Sequence, residues 1–163
     1  MNIISLISPD KKSEVKISRY RATGDQDDAG RDILQVMLTR TPFYGESGGQ
    51  MGDTGTITGE GFVLEVQDTA KIDGQNVCLA VCTAGEVNAD AAVAEIDVER
   101  RASIGRNHTA THLLHKALKD VLGDHVQQKG SLVHPDYLRF DFAHFEGVTN
   151  APLREVETLI NNQ

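Results

Sequence analysis

The sequence predicts an α+β chain, with a small antiparallel β-barrel-like subdomain over residues 1–98 followed by the helix-led first half of an α/β core over residues 99–163. Two observations predict it. Short β-branched segments separated by turn-forming residues fill the stretch from Glu14 to about Val98, and beyond Glu99 the apolar spacing changes from partial alternation to a helical period. The length of 163 residues suits one domain or two small packed subdomains, with enough chain to bury an apolar core without disulfides.

The strand-like segments are "EVKISRY", "ILQVMLTR", "TGTIT", "GFVLEVQDTAKI", "NVCLAVC" and "AVAEIDVE", and the turns between them are read from "TGDQDDAG", "TGEG" and "IDGQN". Strands of this number and spacing suggest a small barrel or sandwich. Residues 99–122 then read as one helix, with Gly123 placed to cap its C-terminus. At about 100° per residue, Ala110, Leu113, Leu114, Ala117, Leu118 and Val121 gather on one side, while His108, Thr111, His112 and His115 share an arc on another. "HVQQKGSLVH" and "YLRFDFAHF" follow as paired strands turning at "HPD". The last segment has Thr149 or Asn150 as N-cap, Pro152 in the first turn, and Leu153, Val156, Leu159 and Ile160 at helical spacing.

A net charge of −8 argues against bulk electrostatic attraction to nucleic acid or to an anionic membrane, so any RNA contact must be local. The local candidates are Arg100, Arg101 and Arg106 at the start of the helix, with Lys116 and Lys119 behind them; a solvated basic patch is the other reading. "MNIISLISPDKK" lacks a basic flank before its apolar run and reads as untargeted, and no stretch approaches the ~18 apolar residues of a membrane span. Cys78 and Cys82 are the only cysteines. In a strand they would stand ~13 Å apart, too far for a disulfide or a shared metal, which suits a reducing, cytoplasmic compartment.

The chemistry-bearing residues lie in three places. His108 and His112 sit one helical turn apart, a spacing that lets two imidazoles meet one zinc ion, although zinc wants four ligands or three and a water. The metalloprotease pattern is excluded because Thr109, not Glu, follows the first histidine. Packed or solvated histidines are the alternative, and His125, His134 and His144 are read as isolated structural residues. The second place is the loop 41–55, "TPFYGESGGQMGDTG", with five glycines from Gly45 to Gly55. It has neither a P-loop ending nor a dinucleotide fingerprint, and serves either to lie over a ligand or against another backbone, or to make a tight structural turn. The third is "VQQKGSLV", where Gln127 and Gln128 alternate sides just before Lys129.

Together "TPFYGESGGQMGDTG", "RRASIGRNHTATHLLHKALKDVLGDHVQQKGSLV" and "LRFDF" resemble the editing region of bacterial alanyl-tRNA synthetases and their free-standing relatives that deacylate mischarged tRNA. The resemblance runs from about residue 41 to the end; residues 1 to about 30 carry no matching motif. Threonyl-tRNA synthetase shares a related editing fold, the second additional domain, without this glycine loop. The resemblance implies a zinc site for which His108 and His112 are half the ligands, the other half, a Cys and a His, being expected downstream of Gln163. It implies hydrolysis of Ser-tRNA(Ala) and Gly-tRNA(Ala), with Thr111 and Gln128 as the catalytic candidates. Gly48, Gly49 and Gln50 would approach the acceptor end of tRNA(Ala) or close the pocket, Arg100, Arg101 and Arg106 would contact phosphates, and Lys129 would join the tRNA-binding residues. ATP and Mg2+ would belong only to an aminoacylation domain outside this stretch. The parent is expected to be a cytoplasmic alanine-tRNA ligase, the piece alone to have little activity, and its uncovered surfaces to favour self-association. The rival readings are a free-standing editing hydrolase cut short, a non-catalytic tRNA-binding module of the same fold, and a zinc hydrolase acting on other esters.

Overall fold

The computed structural model describes residues 12–88 and 91–162, so the reading of the N-terminal apolar run falls outside the described residues. The described residues form two compact units, one within 12–47 and 51–101, the other of residues 48–50 with 102–162.

The first unit is a closed antiparallel barrel of six strands in the order β1-β2-β5-β4-β3-β6: β1 (Lys12–Gln26), β2 (Asp32–Leu38), β3 (Gly55–Gly59), β4 (Phe62–Ile72), β5 (Gln75–Gly85) and β6 (Ala91–Ile96). Closure removes the free edges that a six-stranded open sheet would expose. The interior is filled by Val15, Ile17, Val36, Ile57, Phe62, Leu64, Val66, Cys78, Ala80, Ala94 and Ile96. In β4 the inward parity passes from Leu64 and Val66 to Thr69, because Gln67 is an extra residue between the pairs Val66 with Ala80 and Asp68 with Leu79. The buried Thr69 hydroxyl is satisfied by donating to the Asp53 carbonyl at 2.9 Å. The β4–β5 hairpin turns at Asp73 and Gly74, both with positive φ (50° and 78°), as a two-residue turn matched to strand twist requires.

The first hairpin differs from expectation. "TGDQDDAG" reads as one long turn, yet β1 continues to Gln26 and the turn begins at Asp27. The Asp27 carboxylate closes it by accepting the backbone N–H of Arg31 at 2.8 Å, that of Ala29 at 3.0 Å and the Arg31 Nε–H at 2.7 Å. These hydrogen bonds, Arg31's first, hold the Asp27 carboxyl below its ordinary range.

Helix α1 (Val98–Leu122) starts at Asp97, whose Oδ1 accepts the Arg100 N–H at 2.9 Å as an N-cap does. It ends at Gly123, with φ +112° and its N–H donated to the Lys119 carbonyl at 2.9 Å. From Ala102 on it belongs to the second unit, with the antiparallel pair β7 (Gln127–Val133) and β8 (Leu138–Ala143) and with α2 (Asn150–Asn161). The core of this unit is Ala117, Leu118, Val126 and Val156, with Leu114, Val121, Leu122, Phe140, Phe142 and Ile160 around them. Four of the six residues expected on the apolar face of α1 enter it. Thr149 takes the N-cap position of α2 in extended conformation but makes no side-chain cap. Leu153 and Leu159 remain 45% and 37% exposed.

Candidate metal and substrate site

The histidine helix and the glycine loop meet within the second unit. Gly49 accepts the Val133 N–H at 2.7 Å and Gln50 forms a parallel bridge with Val133, so residues 48–50 run beside β7 like a short extra strand. Gly49 has φ +82°, and a Cβ there would collide with the Ser131 carbonyl oxygen. Only glycine fits this close approach. The next residue, Gln50, is 4% exposed, and its Oε1 lies 2.8 Å from His108 Nδ1. An amide oxygen only accepts, so Nδ1 carries the proton and the Nε2 lone pair is left available.

His108 and His112 have ring centroids 5.0 Å apart, tilted by 42°. Burial first, and the neighbouring His112 second, hold the His108 imidazole below its usual range and so neutral at pH 7. A neutral imidazole whose other nitrogen is tied to a carbonyl oxygen is the state in which histidine binds zinc. His108 is thus in the state of a zinc ligand, with the exposed His112 one turn away; among the described residues no group of three or more His, Cys, Asp or Glu gathers.

Thr111 is 7% exposed and donates its hydroxyl proton to the Asn107 carbonyl at 2.8 Å, leaving the oxygen as an acceptor. Gln128 is exposed, and its Nε2 donates to Ser131 Oγ at 3.0 Å. It thus reaches the residue against which Gly49 packs, and makes no direct hydrogen bond to His108 or His112. Lys129 is the extra residue of a bulge between Gln128 and Gly130 and is exposed. Arg106 is exposed, with Nη2 on Ser103 Oγ at 2.8 Å.

Arg100 and Arg101, in the first turn of α1, are engaged with protein. Arg100 Nη1 donates to the Gly52 carbonyl at 2.6 Å. Arg101, expected at a phosphate, has a side chain only 12% exposed that forks onto Asp53, itself 2% exposed, with Nε donating to Oδ1 at 2.8 Å and Nη2 to Oδ2. Nη2 also donates to the Pro42 carbonyl at 3.0 Å. A guanidinium held by a buried carboxylate is a scaffold element, since leaving it for a phosphate would strand that carboxylate.

His125 and His144 are likewise not isolated. The β7–β8 pairing brings them together with His125 Nε2 2.7 Å from His144 Nδ1, and Phe145, 86% exposed, stacks on His125. His115 packs its ring on Phe140, centroids 5.2 Å apart, and its Nε2 is buried with no hydrogen-bond partner among the described residues.

Residues 6–100 match the family model described as "tRNA synthetases class II (A)". The chain is 52% identical over 138 residues to the alanine–tRNA ligase of Mesorhizobium japonicum, covering 83% of this chain and 16% of the relative. It is 55% identical over 134 residues to that of Myxococcus xanthus (80% and 15%) and 53% identical over 133 residues to that of Colwellia psychrerythraea (78% and 15%). The chain thus spans 15–16% of the length of these relatives. Since the model covers residues 6–100 of 163, more than half of the sequence, the chain belongs to the family of class II (A) tRNA synthetases.

Proposed function

We propose that this chain is part of an alanine-tRNA ligase and carries half of its editing site, which hydrolyses Ser-tRNA(Ala) and Gly-tRNA(Ala). A site that selects alanine rejects competitors differing by one small group by only ~1–3 kcal/mol, so a second, hydrolytic site is needed. The observation that carries this reading is the Gln50–His108–His112 arrangement, in which the glycine loop sets the tautomer of a helix histidine one turn from another.

In this reading His108 and His112 hold zinc with two ligands from beyond Gln163. When bound, zinc supplies a positive centre for orienting the ester or a water. Gln50 keeps His108 Nε2 free of its proton. Thr111, its own proton given to Asn107, accepts the hydroxyl proton of a misattached serine, a hydrogen bond that the methyl of alanine cannot make. The Oε1 of Gln128 serves the same pocket, with Ser131 holding the amide in place. An ester is already activated relative to an amide, so orientation of water and carbonyl suffices. Arg106 and Lys129, both exposed, give the RNA backbone local cationic contacts on an otherwise acidic chain.

The test is deacylation of seryl-tRNA(Ala) by the full-length protein and by its His108→Ala, His112→Ala double variant. The double variant should lose hydrolysis by at least two orders of magnitude while retaining RNA binding. Undiminished hydrolysis would leave the fold as a tRNA-binding module and overturn the proposal.

A further inference from the structure

The turn between β7 and β8 carries an aromatic pair that the site described above does not use. Tyr137 stacks on the His134 imidazole, with ring centroids 4.5 Å apart and planes within 21°. Tyr137 is nevertheless 53% exposed. The pair is held from beneath. The His134 N–H donates to the Tyr137 carbonyl at 2.9 Å, and Asn107 Nδ2 donates to the carbonyls of His134 and Pro135 at 2.6 and 3.1 Å. Asn107 directly precedes His108, and Val133, directly before His134, is the residue that pairs with Gly49 and Gln50. The stack is therefore fastened to both elements that build the histidine site.

His134 also has a defined donor. Its Nδ1 accepts the Asp136 N–H at 3.1 Å, which leaves the proton on Nε2. Arg139, 63% exposed, follows two residues after Tyr137; its Nε–H donates to Asp141 Oδ2 at 3.1 Å, a surface pair that a phosphate can share or replace. A π-face held in a stack, an imidazole N–H and a nearby cation are the elements by which proteins hold an unpaired nucleotide: stacking on the base, a hydrogen bond to its edge or sugar, and charge toward its phosphate.

Building on the editing reading, we propose that the Tyr137–His134 stack is a nucleobase platform for the unpaired 3′ end of the tRNA, placing the terminal nucleotide so that its aminoacyl ester lies at the histidine pair. Tyr137 supplies the face, His134 orients it, and Arg139 takes the adjoining phosphate.

The experiment uses the full-length protein and an RNA hairpin copying the tRNA(Ala) acceptor stem, with 2-aminopurine as its unpaired 3′-terminal base. Stacking should quench the fluorescence on binding to wild type. Tyr137→Phe should preserve quench and affinity. Tyr137→Leu, which keeps apolar bulk without a π-face, should abolish the quench and weaken binding about tenfold. Equal quench and affinity in Tyr137→Leu would overturn the platform, as would a wild-type protein that hydrolyses seryl-tRNA(Ala) but does not quench the probe; in that case the editing reading stands without it. A wild type that neither binds the hairpin nor hydrolyses seryl-tRNA(Ala) overturns both.

Discussion

Replacing Asp53 by alanine is expected to cost the barrel unit a large part of its stability. The carboxylate receives the Arg101 Nε–H at 2.8 Å, a second N–H from Arg101 Nη2, and the Tyr44 backbone N–H at 2.6 Å, with Asp53 and Arg101 only 2% and 12% exposed. Breaking a buried ion pair from one side costs about 3–5 kcal/mol, because the remaining charge has no compensation. Arg101 keeps one acceptor, the Pro42 carbonyl at 3.0 Å, which moves its share toward the lower end, and the orphaned Tyr44 N–H adds about 1 kcal/mol. The sum, about 4 kcal/mol, is a large fraction of the ~5–15 kcal/mol that holds a typical domain. Urea unfolding followed by circular dichroism and tyrosine fluorescence gives the number, as the chain has no tryptophan. A double variant, Asp53→Leu with Arg101→Met, should lose less than the two single variants added together, because neither charge is stranded. A cost below about 1 kcal/mol for Asp53→Ala, or simple additivity, would refute the assignment of Arg101 to the scaffold.

Further outcomes follow from the same geometry. Gln50→Leu removes the acceptor for His108 Nδ1–H; zinc affinity of the full-length protein should fall about 10- to 100-fold, and imidazole 15N shifts should show the loss of a single fixed tautomer. Gly49→Ala puts a Cβ onto the Ser131 carbonyl at a φ of +82°, and should destabilise by at least about 2 kcal/mol in the same urea assay. Burial pushes the Cys78 thiol up to about 12 from 9.0. At pH 8 a thiol reagent should therefore label Cys82 in the native chain and Cys78 only after unfolding. Between pH 9 and 12 the unfolded chain releases this proton while the folded one retains it, so stability should fall, by about 1.4 kcal/mol per pH unit at most. The exposed Leu153, Leu159 and Phe145 should make the isolated chain associate with concentration in sedimentation; a compact monomer at all concentrations would contradict this.

Much of the barrel is legible in the sequence because a closed sheet imposes a period on every strand, and turn residues such as Asp73–Gly74 punctuate it. The helix limits are legible for a similar reason: Gly123 is needed where it stands. What sequence does not carry is pairing at a distance. Nothing in "ERRASIGRN" says that Arg101 is committed to a carboxylate 48 residues earlier while Arg106 stays in solvent. Likewise Gln50 was legible as part of an unusual loop, but its hydrogen bond to His108, 58 positions on, was not. The His125–His144 contact was within reach. Folding the two strands about "HPD" sets Gln127 opposite Ala143, which carries the residues flanking them together. The long first strand was hidden by Gly24, whose φ of +93° suggests a turn but is accommodated at a register shift between Ala22 and Gln26.

His108 and His112 are proposed here as ligands in a hydrolytic site. The most direct measurement is zinc content and Ser-tRNA(Ala) hydrolysis on the same preparations of the full-length protein, wild type and His108→Ala, His112→Ala. Zinc and hydrolysis should be lost together, with the fold retained by circular dichroism. Hydrolysis that persists after both histidines and the zinc are gone would contradict it, and the helix would then be scaffold alone.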